Sequence, residues 1–263
     1  MTKEKVSVTI ESSILKNVDA TIDNVYIRNR SQAIERLIEK SIGKSKIAVI
    51  LAGGDEEKIK ISENEYRFTA KIGSKTLVER QIEKLNESEF NNIFIVARKK
   101  IIAKIFEILG DGTELGVNVG YIEEKNSSGS ADSLKLIKGK IKSPFLAFYG
   151  DILFDNVNIK ELWNQHKKTN ALTTIMLTTS DRPSEKGTVR MEGSKVLEFM
   201  QKPEKSENFL VFSPIFISEP ELLNVEGSSL EFDIFPKLAK KGQINGFLSS
   251  EKEKHIHCKE DTI

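Results

Sequence analysis

Hydrophobic and polar positions in the first 44 residues follow a strand period and then a helix period. Apolar and polar residues alternate over Val6–Ile10, which predicts a half-buried strand. Apolar residues at helical spacing predict a first helix within Glu11–Asp23 and a second behind an N-cap at Ser31, ended by Gly43. One strand and two short helices are too small to bury a core alone, so this segment predicts a dimer.

From Lys46 onward, strand and helix patterns alternate. The predicted strands are Ile47–Leu51, Ile93–Ala97, Val117–Ile122, Phe145–Tyr149 and Ala171–Thr178. The predicted helices are Leu77–Leu85, Ile101–Leu109 and Ala131–Ile137. This alternation predicts an α/β domain with a mainly parallel sheet, and we place the domain boundary between residues 1–44 and 45–263.

Ligands of such sheets bind at the carboxyl ends of the strands. The turns Gly53-Gly54 and Gly150-Asp151 follow predicted strands, and Gly129 precedes a predicted helix at the same edge. Their convergence predicts a ligand site there.

Composition and charge add few constraints. Forty Lys and Arg residues against thirty-nine Asp and Glu residues leave a formal net charge of +1, which gives no indication of nucleic-acid binding by the whole chain. The single cysteine, Cys258, excludes an internal disulfide and fits a reducing compartment. We find no apolar run of membrane-spanning length and no signal-peptide pattern, which predicts a cytoplasmic protein without a membrane partner.

The strand–helix–helix order and the stretch Asn29–Ile34 resemble the ribbon-helix-helix transcription factors. In that family two chains pair their N-terminal strands into a ribbon that enters the DNA major groove. The resemblance implies a homodimer through residues 4–42 that binds double-stranded DNA, with strand residues on base edges and the second helix start on phosphate. The implied DNA-binding residues are Lys5, Ser7, Thr9, Arg30 and Ser31. The alternative is an arm that dimerises the protein without binding DNA.

Several stretches beyond Lys46 resemble the sugar-1-phosphate nucleotidyltransferases, GT-A-like enzymes that make nucleotide sugars from an NTP and a sugar phosphate. The matching stretches are Leu51–Gly54, Lys71–Val78, Gly129–Ala131, Gly150-Asp151 and Gln201–Pro203. In these enzymes a sugar-phosphate oxygen attacks the α-phosphorus of the NTP, which requires charge neutralisation more than acid–base catalysis.

The same resemblance implies roles for single residues. Asp151 would bind Mg²⁺, Lys202 would meet the sugar phosphate, and Arg67 takes the place of a family lysine, complemented by Lys58. The candidate catalytic residues are therefore Lys58, Arg67, Asp151 and Lys202. The candidate nucleotide-binding residues are Leu51, Ala52, Gly53, Gly54, Glu124, Gly129 and Ser130.

Other positions depart from the family. Its Gly-Thr-Arg clamp falls on Glu56, Glu57 and Lys58, preceded by Asp55, and three carboxylates there would repel a triphosphate. Glu124 takes the place of a base-reading glutamine, and His257 that of a second metal-binding aspartate. The stretch His255–Cys258 contains two histidines, but without further ligands at defined spacing it is interpreted as a strand end rather than a metal site.

The resemblance of the first 44 residues to DNA-binding factors, taken with these departures, favours a DNA-binding transcriptional regulator. Its nucleotidyltransferase-like domain would bind a nucleotide, nucleotide sugar or sugar phosphate, with catalysis weakened or lost. The first alternative is an active enzyme that makes an NDP-sugar and pyrophosphate and whose N-terminal arm dimerises it or autoregulates its operon. The second alternative is a structural dimer whose large domain binds nothing.

Overall fold

The computed structural model describes residues 6–22, 27–38, 46–63, 65–126 and 128–262. The chain divides into two units, Met1–Ser45 and Lys46–Ile263. Among the described residues, no helix is long and apolar enough to cross a membrane.

The first unit contains helices α1 (Ser12–Asp19) and α2 (Arg30–Ile38), which lie where apolar spacing predicts them. Val18 and Ala33 are buried. The side chain of Asn29 caps α2, because its Oδ1 accepts the backbone N–H of Gln32 at 2.9 Å. Ser31 therefore lies inside the helix, which corrects the predicted cap.

The predicted N-terminal strand is not formed in the part of this unit that the structure describes. Residues 6–10 adopt neither helix nor strand, and the side chains of Val6 and Val8 are 77% and 66% exposed. A strand needs a partner for its backbone N–H and C=O groups, and the described residues of this unit supply none. Lys5 and Gly43 lie outside the described residues.

The second unit is an α/β domain. Its strands are β1 (Lys46–Ala52), β2 (Lys60–Ser62), β3 (Glu65–Tyr66), β4 (Lys71–Ile72), β5 (Lys75–Thr76), β6 (Phe90–Ala97), β7 (Asn118–Glu123), β8 (Phe145–Tyr149), β9 (Ile152–Leu153), β10 (Thr173–Thr179), β11 (Gly187–Glu192), β12 (Lys195–Gln201), β13 (Leu210–Ser218), β14 (Ile244–Leu248) and β15 (Lys254–His255). Its α-helices are α3 (Glu56–Ile59), α4 (Leu77–Glu87), α5 (Lys99–Leu109), α6 (Ser130–Lys135), α7 (Ile159–Lys167) and α8 (Phe235–Lys240).

Nine strands form one sheet in the order β10-β14-β12-β11-β13-β8-β1-β6-β7. Strands β8, β1, β6 and β7 run parallel, as the alternating pattern predicts. Strand β13 is antiparallel to β8, and the strands beyond it pair mostly antiparallel. The sheet is therefore mixed, since β11 and β12 are joined by a short turn that permits only an antiparallel hairpin.

The core lies on both faces of the sheet. Successive residues of β1 belong to two separate hydrophobic clusters: Ala48 and Ile50 pack on one face, and Val49 and Leu51 on the other. This follows from the two-residue period of a strand covered by helices on both sides. Helix α4 begins at a capping box in which the hydroxyl of Thr76 and the carboxylate of Glu79 satisfy each other's backbone N–H groups.

His166, in α7, makes stability depend on pH. Its side chain is 1% exposed, and its Nδ1 lies 2.9 Å from Oγ1 of Thr174. Burial, with a smaller contribution from Lys167, lowers the pKa of His166 from 6.5 to about 4. Between these values the unfolded chain binds a proton that the folded chain does not, so the contribution present above pH 6.5 is lost as the pH falls towards 4.

We therefore expect the free energy of unfolding to fall by up to about 3 kcal/mol across this window through His166 alone. Urea unfolding at several pH values should show a shallower pH dependence for His166→Gln than for the unsubstituted protein. The carboxylates titrate in both proteins, so the difference between the two curves isolates the imidazole. If the unfolding free energies of the two proteins show the same pH dependence, the proposed effect of His166 is contradicted.

Candidate functional site

The glycine turn after β1 lies at the edge where the parallel strands end. Ala52 pairs with Ala97 of β6, and Leu51 pairs with Tyr149 of β8. Leu51 and Ala52 are buried, so Gly53 and Gly54 form the accessible part of the predicted nucleotide-binding stretch. Gly54 has φ +112°, a backbone conformation that side chains disfavour.

Glu124 packs directly against this turn. Its Oε2 accepts the N–H of Gly54 at 2.8 Å and lies 3.5 Å from Nε of Arg98. The hydroxyl of Ser133 donates to Oε1. A Cβ at Gly53 would clash with this carboxylate, so the glycine allows the close approach. The structure thus brings together Gly53, Gly54 and Glu124, three of the residues named as candidates for nucleotide binding.

The acidic loop after the glycine turn folds into α3, and its carboxylates are paired. Asp55 caps the helix by accepting the N–H of Glu57 at 3.2 Å. Glu56 accepts a hydrogen bond from Lys100 at 3.0 Å, and this bond lowers the pKa of Glu56. Glu57 binds Lys60 at 2.6 Å. The repulsion predicted for this loop is therefore offset by neighbouring lysines.

Asp151 follows β8 and pairs with Arg67. The guanidinium Nη1 lies 3.0 Å from Oδ2 of Asp151, and the two side chains are 18% and 19% exposed. The Nη2 group donates to the carbonyl of Lys58 at 2.8 Å, whereas the side chain of Lys58 is 82% exposed. The structure thus brings together three of the candidate catalytic residues, Arg67, Asp151 and Lys58, the last through its backbone carbonyl.

Gln81 holds the turn that carries Asp151. Its side-chain amide donates to the carbonyls of Gly150 at 2.8 Å and Ile152 at 2.7 Å, and the residue is 1% exposed. The sequence pattern placed Gln81 in a helix without assigning it a role, because its partners are 69 and 71 residues away.

Gln81→Met should lower the free energy of unfolding by about 2–4 kcal/mol, because two buried carbonyls lose their donor. Gln165→Met, a partly exposed position on α7, is the matched control and should change stability by less than about 0.5 kcal/mol. Chemical denaturation of both variants measures the difference, and equal losses would contradict a positioning role for Gln81.

Strand β15 places two imidazoles beside Asp151. His255 pairs with Ile152, and the N–H of Ile256 donates to the carbonyl of Asp151 at 2.8 Å. Ile256 is buried, so His255 and His257 lie on the opposite side, with ring centroids 5.3 Å apart. One nitrogen of each ring and one Asp151 oxygen lie within 4.8 Å of one another. The predicted strand end is present, and Asp151 adds a third potential metal-binding group that local spacing did not reveal.

The electrostatic surroundings keep His257 in the form that can bind a cation. His257 is exposed on the surface, but partial desolvation of its ring lowers its pKa; the Asp151 charge opposes this shift, whereas Arg67 and His255 reinforce it. A neutral imidazole has a free lone pair. One carboxylate and two imidazoles form a chemically suitable donor set for a divalent metal.

A cleft of about 530 Å³ opens beside the two imidazoles, and Lys202 lines it. Lys202 has φ +47°, a left-handed conformation that is uncommon outside glycine, and its N–H donates to the carbonyl of Lys186 at 2.9 Å. Backbone strain of this kind is concentrated at functional sites. The predicted sugar-phosphate residue therefore shares a cleft with His255 and His257.

Gly129 and Ser130 lie at the start of α6, packed against the segment around Ser228. A Cβ at Gly129 would lie 2.6 Å from the carbonyl oxygen of Ser228, which also accepts the N–H of Ala131 at 2.9 Å. The hydroxyl of Ser130 donates to Glu231 at 2.7 Å. Ser130 thus positions Glu231, a cleft residue that the sequence pattern missed.

The residues predicted to contact DNA lie in the first unit. Ser7 and Thr9 are exposed and outside any strand, and Lys5 lies outside the described residues. Arg30 makes a two-point contact with Asp19, with distances of 2.7 Å and 2.6 Å. Its guanidinium therefore faces a carboxylate in this structure, not the open position expected of a phosphate ligand.

The sequence profile of the Nucleotidyl transferase family matches residues 47–244. This match covers well over half of the chain, which therefore belongs to the nucleotidyl transferase family. The match gives no support to a ribbon-helix-helix domain in the first unit.

Curated relatives carry the name mannose-1-phosphate guanyltransferase. That of Aspergillus oryzae is 27% identical over 210 residues, covering 76% of this chain and 57% of the relative. That of Yarrowia lipolytica is 28% identical over 184 residues, covering 67% of this chain and 50% of the relative. The chain thus spans about half the length of the curated relatives it matches.

A solved structure from Bacillus anthracis, described as a "Putative Glucose-1-Phosphate Thymidylyltransferase" in complex with a sucrose, has a similar fold. The TM-score is 0.74, with 19% identity, and the match covers 81% of this chain and 90% of that one. The nucleotidyltransferase-like α/β fold is thus confirmed.

The prediction of a DNA-binding regulator is wrong. The family match and the names of the relatives favour the alternative, an active nucleotidyltransferase. The DNA-binding part of that prediction rested on the resemblance of residues 4–42 to ribbon-helix-helix factors, which the family match does not support. The weakened-catalysis part rested on the acidic loop, whose carboxylates pair with Lys60 and Lys100.

Proposed function

We propose that the unit Lys46–Ile263 transfers a nucleotidyl group from an NTP to a sugar 1-phosphate and releases pyrophosphate. The observation that carries this proposal is the partly buried ion pair of Arg67 and Asp151, in which Nη1 lies 3.0 Å from Oδ2. This pair lies at the carboxyl end of the strand that pairs with β1, which carries the glycine turn. The cleft lined by Lys202 offers a place for the second phosphate-bearing substrate.

In this reaction an oxygen of the sugar phosphate forms a bond to the α-phosphorus, and the bond from that phosphorus to the pyrophosphate oxygen breaks. Gly53 and Gly54 allow the backbone to approach the nucleotide. The ammonium of Lys202 would neutralise the sugar phosphate, and the guanidinium of Arg67 would orient Asp151 and offset phosphate charge. A divalent metal at Asp151, for which the carboxylate alone predicts Mg²⁺, would supply further positive charge at the phosphates.

GTP and mannose 1-phosphate are the first substrates to test, because the matched relatives carry those names. Purified protein should be incubated with each common NTP and with mannose 1-phosphate or glucose 1-phosphate. The products should then be separated and identified by mass spectrometry. We expect one NDP-sugar to accumulate only when both substrates are present. Absence of any NDP-sugar across the panel and with several divalent metals would contradict the proposal.

We also propose that the first unit joins two copies of the chain. Its apolar side chains are unusually exposed, namely those of Val6, Val8, Ile14, Leu37 and Ile38. A unit of this size gains a core by pairing with a second copy.

Light scattering on the full chain should give a dimer mass, and the double substitution Ile14→Glu with Leu37→Glu should give the monomer. Ser13→Glu, at an exposed polar position, should leave the mass unchanged. An unaltered dimer in the double variant would contradict this interface.

A further inference from the structure

We infer that Asp151, His255 and His257 form a binding site for a divalent transition metal, of the class of Mn²⁺, Co²⁺ and Zn²⁺, in preference to Mg²⁺. The inference deepens the proposed function, on whose site it rests, by naming the class of metal. It is tested by binding, independently of turnover.

Backbone pairing brings the three proposed ligands close to one another. Strand β15 pairs with β9, which begins one residue after Asp151, and the N–H of Ile256 donates to the Asp151 carbonyl at 2.8 Å. The three ligand atoms lie within 4.8 Å of one another. Ligands around one ion with bonds of about 2.1 Å lie roughly 3–3.5 Å apart, so modest side-chain rotations complete the site. His257 is exposed and has room to rotate.

A second and independent observation is the carboxylate behind His255. The Nε2 atom of His255 lies 3.3 Å from Oε1 of Glu253, whose side chain is only 1% exposed. Glu253 is itself held by the hydroxyl of Ser213 at 2.6 Å and by Lys186 at 3.6 Å. A carboxylate that accepts one ring N–H fixes the tautomer and leaves the lone pair on Nδ1, the usual arrangement behind a metal-binding histidine.

The donor atoms determine which metal is preferred. Mg²⁺ requires oxygen ligands in near-octahedral geometry and retains its waters, whereas imidazole nitrogen favours transition metals. Arg67 occupies Oδ2 of Asp151, which leaves Oδ1 as the carboxylate oxygen available to the ion. The proposed site therefore offers a metal ion two nitrogen donors and one oxygen donor.

The test is calorimetric titration of the full chain with Co²⁺, Mn²⁺, Zn²⁺ and Mg²⁺, together with the visible absorption spectrum of the Co²⁺ form. We expect Co²⁺ to bind with an affinity at least about 100-fold higher than that of Mg²⁺ and to develop ligand-field bands. His257→Asp should narrow this ratio by at least tenfold, and Glu253→Gln should weaken Co²⁺ binding by about 10–100-fold. Cys258→Ser is the control, because the exposed thiol of Cys258 is a soft metal ligand next to the proposed site. This variant should leave the metal affinities and the Co²⁺ spectrum unchanged.

Equal affinities for Co²⁺ and Mg²⁺, or Co²⁺ binding that survives His255→Ala with His257→Ala, would overturn the inference. Loss of binding in Cys258→Ser would overturn it as well. The two proposals fail separately. Tight Co²⁺ binding without any NDP-sugar product would contradict the proposed function alone. Turnover supported by Mg²⁺ without preferential Co²⁺ binding would contradict the metal site alone.

Discussion

Asp151→Asn should reduce the rate of NDP-sugar formation by about three orders of magnitude, the loss expected when a preorganised charged group is removed from a partly buried site. The asparagine has the same shape and still accepts a hydrogen bond from Arg67, which lies 3.0 Å away. It lacks the negative charge that would attract a metal and that now balances the guanidinium. The steady-state kcat should fall, and the unfolding midpoint should also drop, because the largely buried guanidinium of Arg67 loses its charge partner.

Asp155→Asn is the matched control for this experiment. Asp155 also pairs with an arginine, Arg80, and lies four positions further along the same segment. It is not part of the Asp151 cluster with His255 and His257. We expect a change in kcat of less than about threefold, as for surface positions away from the reacting groups. Similar losses in the two variants would contradict a catalytic role for Asp151.

Lys202→Ala should lower kcat/KM for the sugar phosphate by about 100-fold, because it removes the positive charge of a residue that lines the cleft. The affinity for the NTP should change much less, since the glycine turn lies at a different strand end. Two series of initial rates separate these effects. One varies the sugar phosphate at saturating NTP, and the other varies the NTP at saturating sugar phosphate.

The backbone of Lys202 provides an internal comparison. Its φ of +47° is costly for alanine but not for glycine, so Lys202→Gly should regain stability relative to Lys202→Ala without regaining activity. Lys205→Ala, an exposed position three residues away, should leave both kcat/KM for the sugar phosphate and the affinity for the NTP unchanged. Recovery of activity in Lys202→Gly would show that the backbone, not the ammonium, matters.

The local sequence was sufficient for the parallel half of the fold. Buried strands such as β1 and β8 and amphipathic helices such as α4 and α5 are specified by residues within one element, and their observed bounds agree closely with the prediction. The mixed half was not predicted, because β13 pairs antiparallel with β8 and β10, and β14 pairs parallel with β10, all strands far away in the chain.

The site was predictable where a motif carries it and not where distant residues meet. Gly53, Gly54 and Asp151 were identified from short stretches that end in glycine turns. The contact of Gly54 with Glu124 spans 70 residues, and nothing near Glu124 indicates it. The His-Ile-His alternation did place two imidazoles on one face, but its partner Asp151 lies on a different strand pair.

The expectation of weakened catalysis rested on the acidic loop after the glycine turn. The charges of Glu56 and Glu57 were counted without their partners, and Lys100 comes from a helix that follows β6. Net repulsion in a loop depends on all charges within a few ångströms, which adjacent sequence does not supply.

The most direct test of the central claim is the initial rate of pyrophosphate release, measured with both substrates and with each one omitted. We predict that release requires both the NTP and the sugar 1-phosphate. Asp151→Asn should slow it by about three orders of magnitude, and Asp155→Asn by less than about threefold. Release that is absent with every substrate pair, or that is equal in the two variants, would contradict the assignment of this chain as a working nucleotidyltransferase.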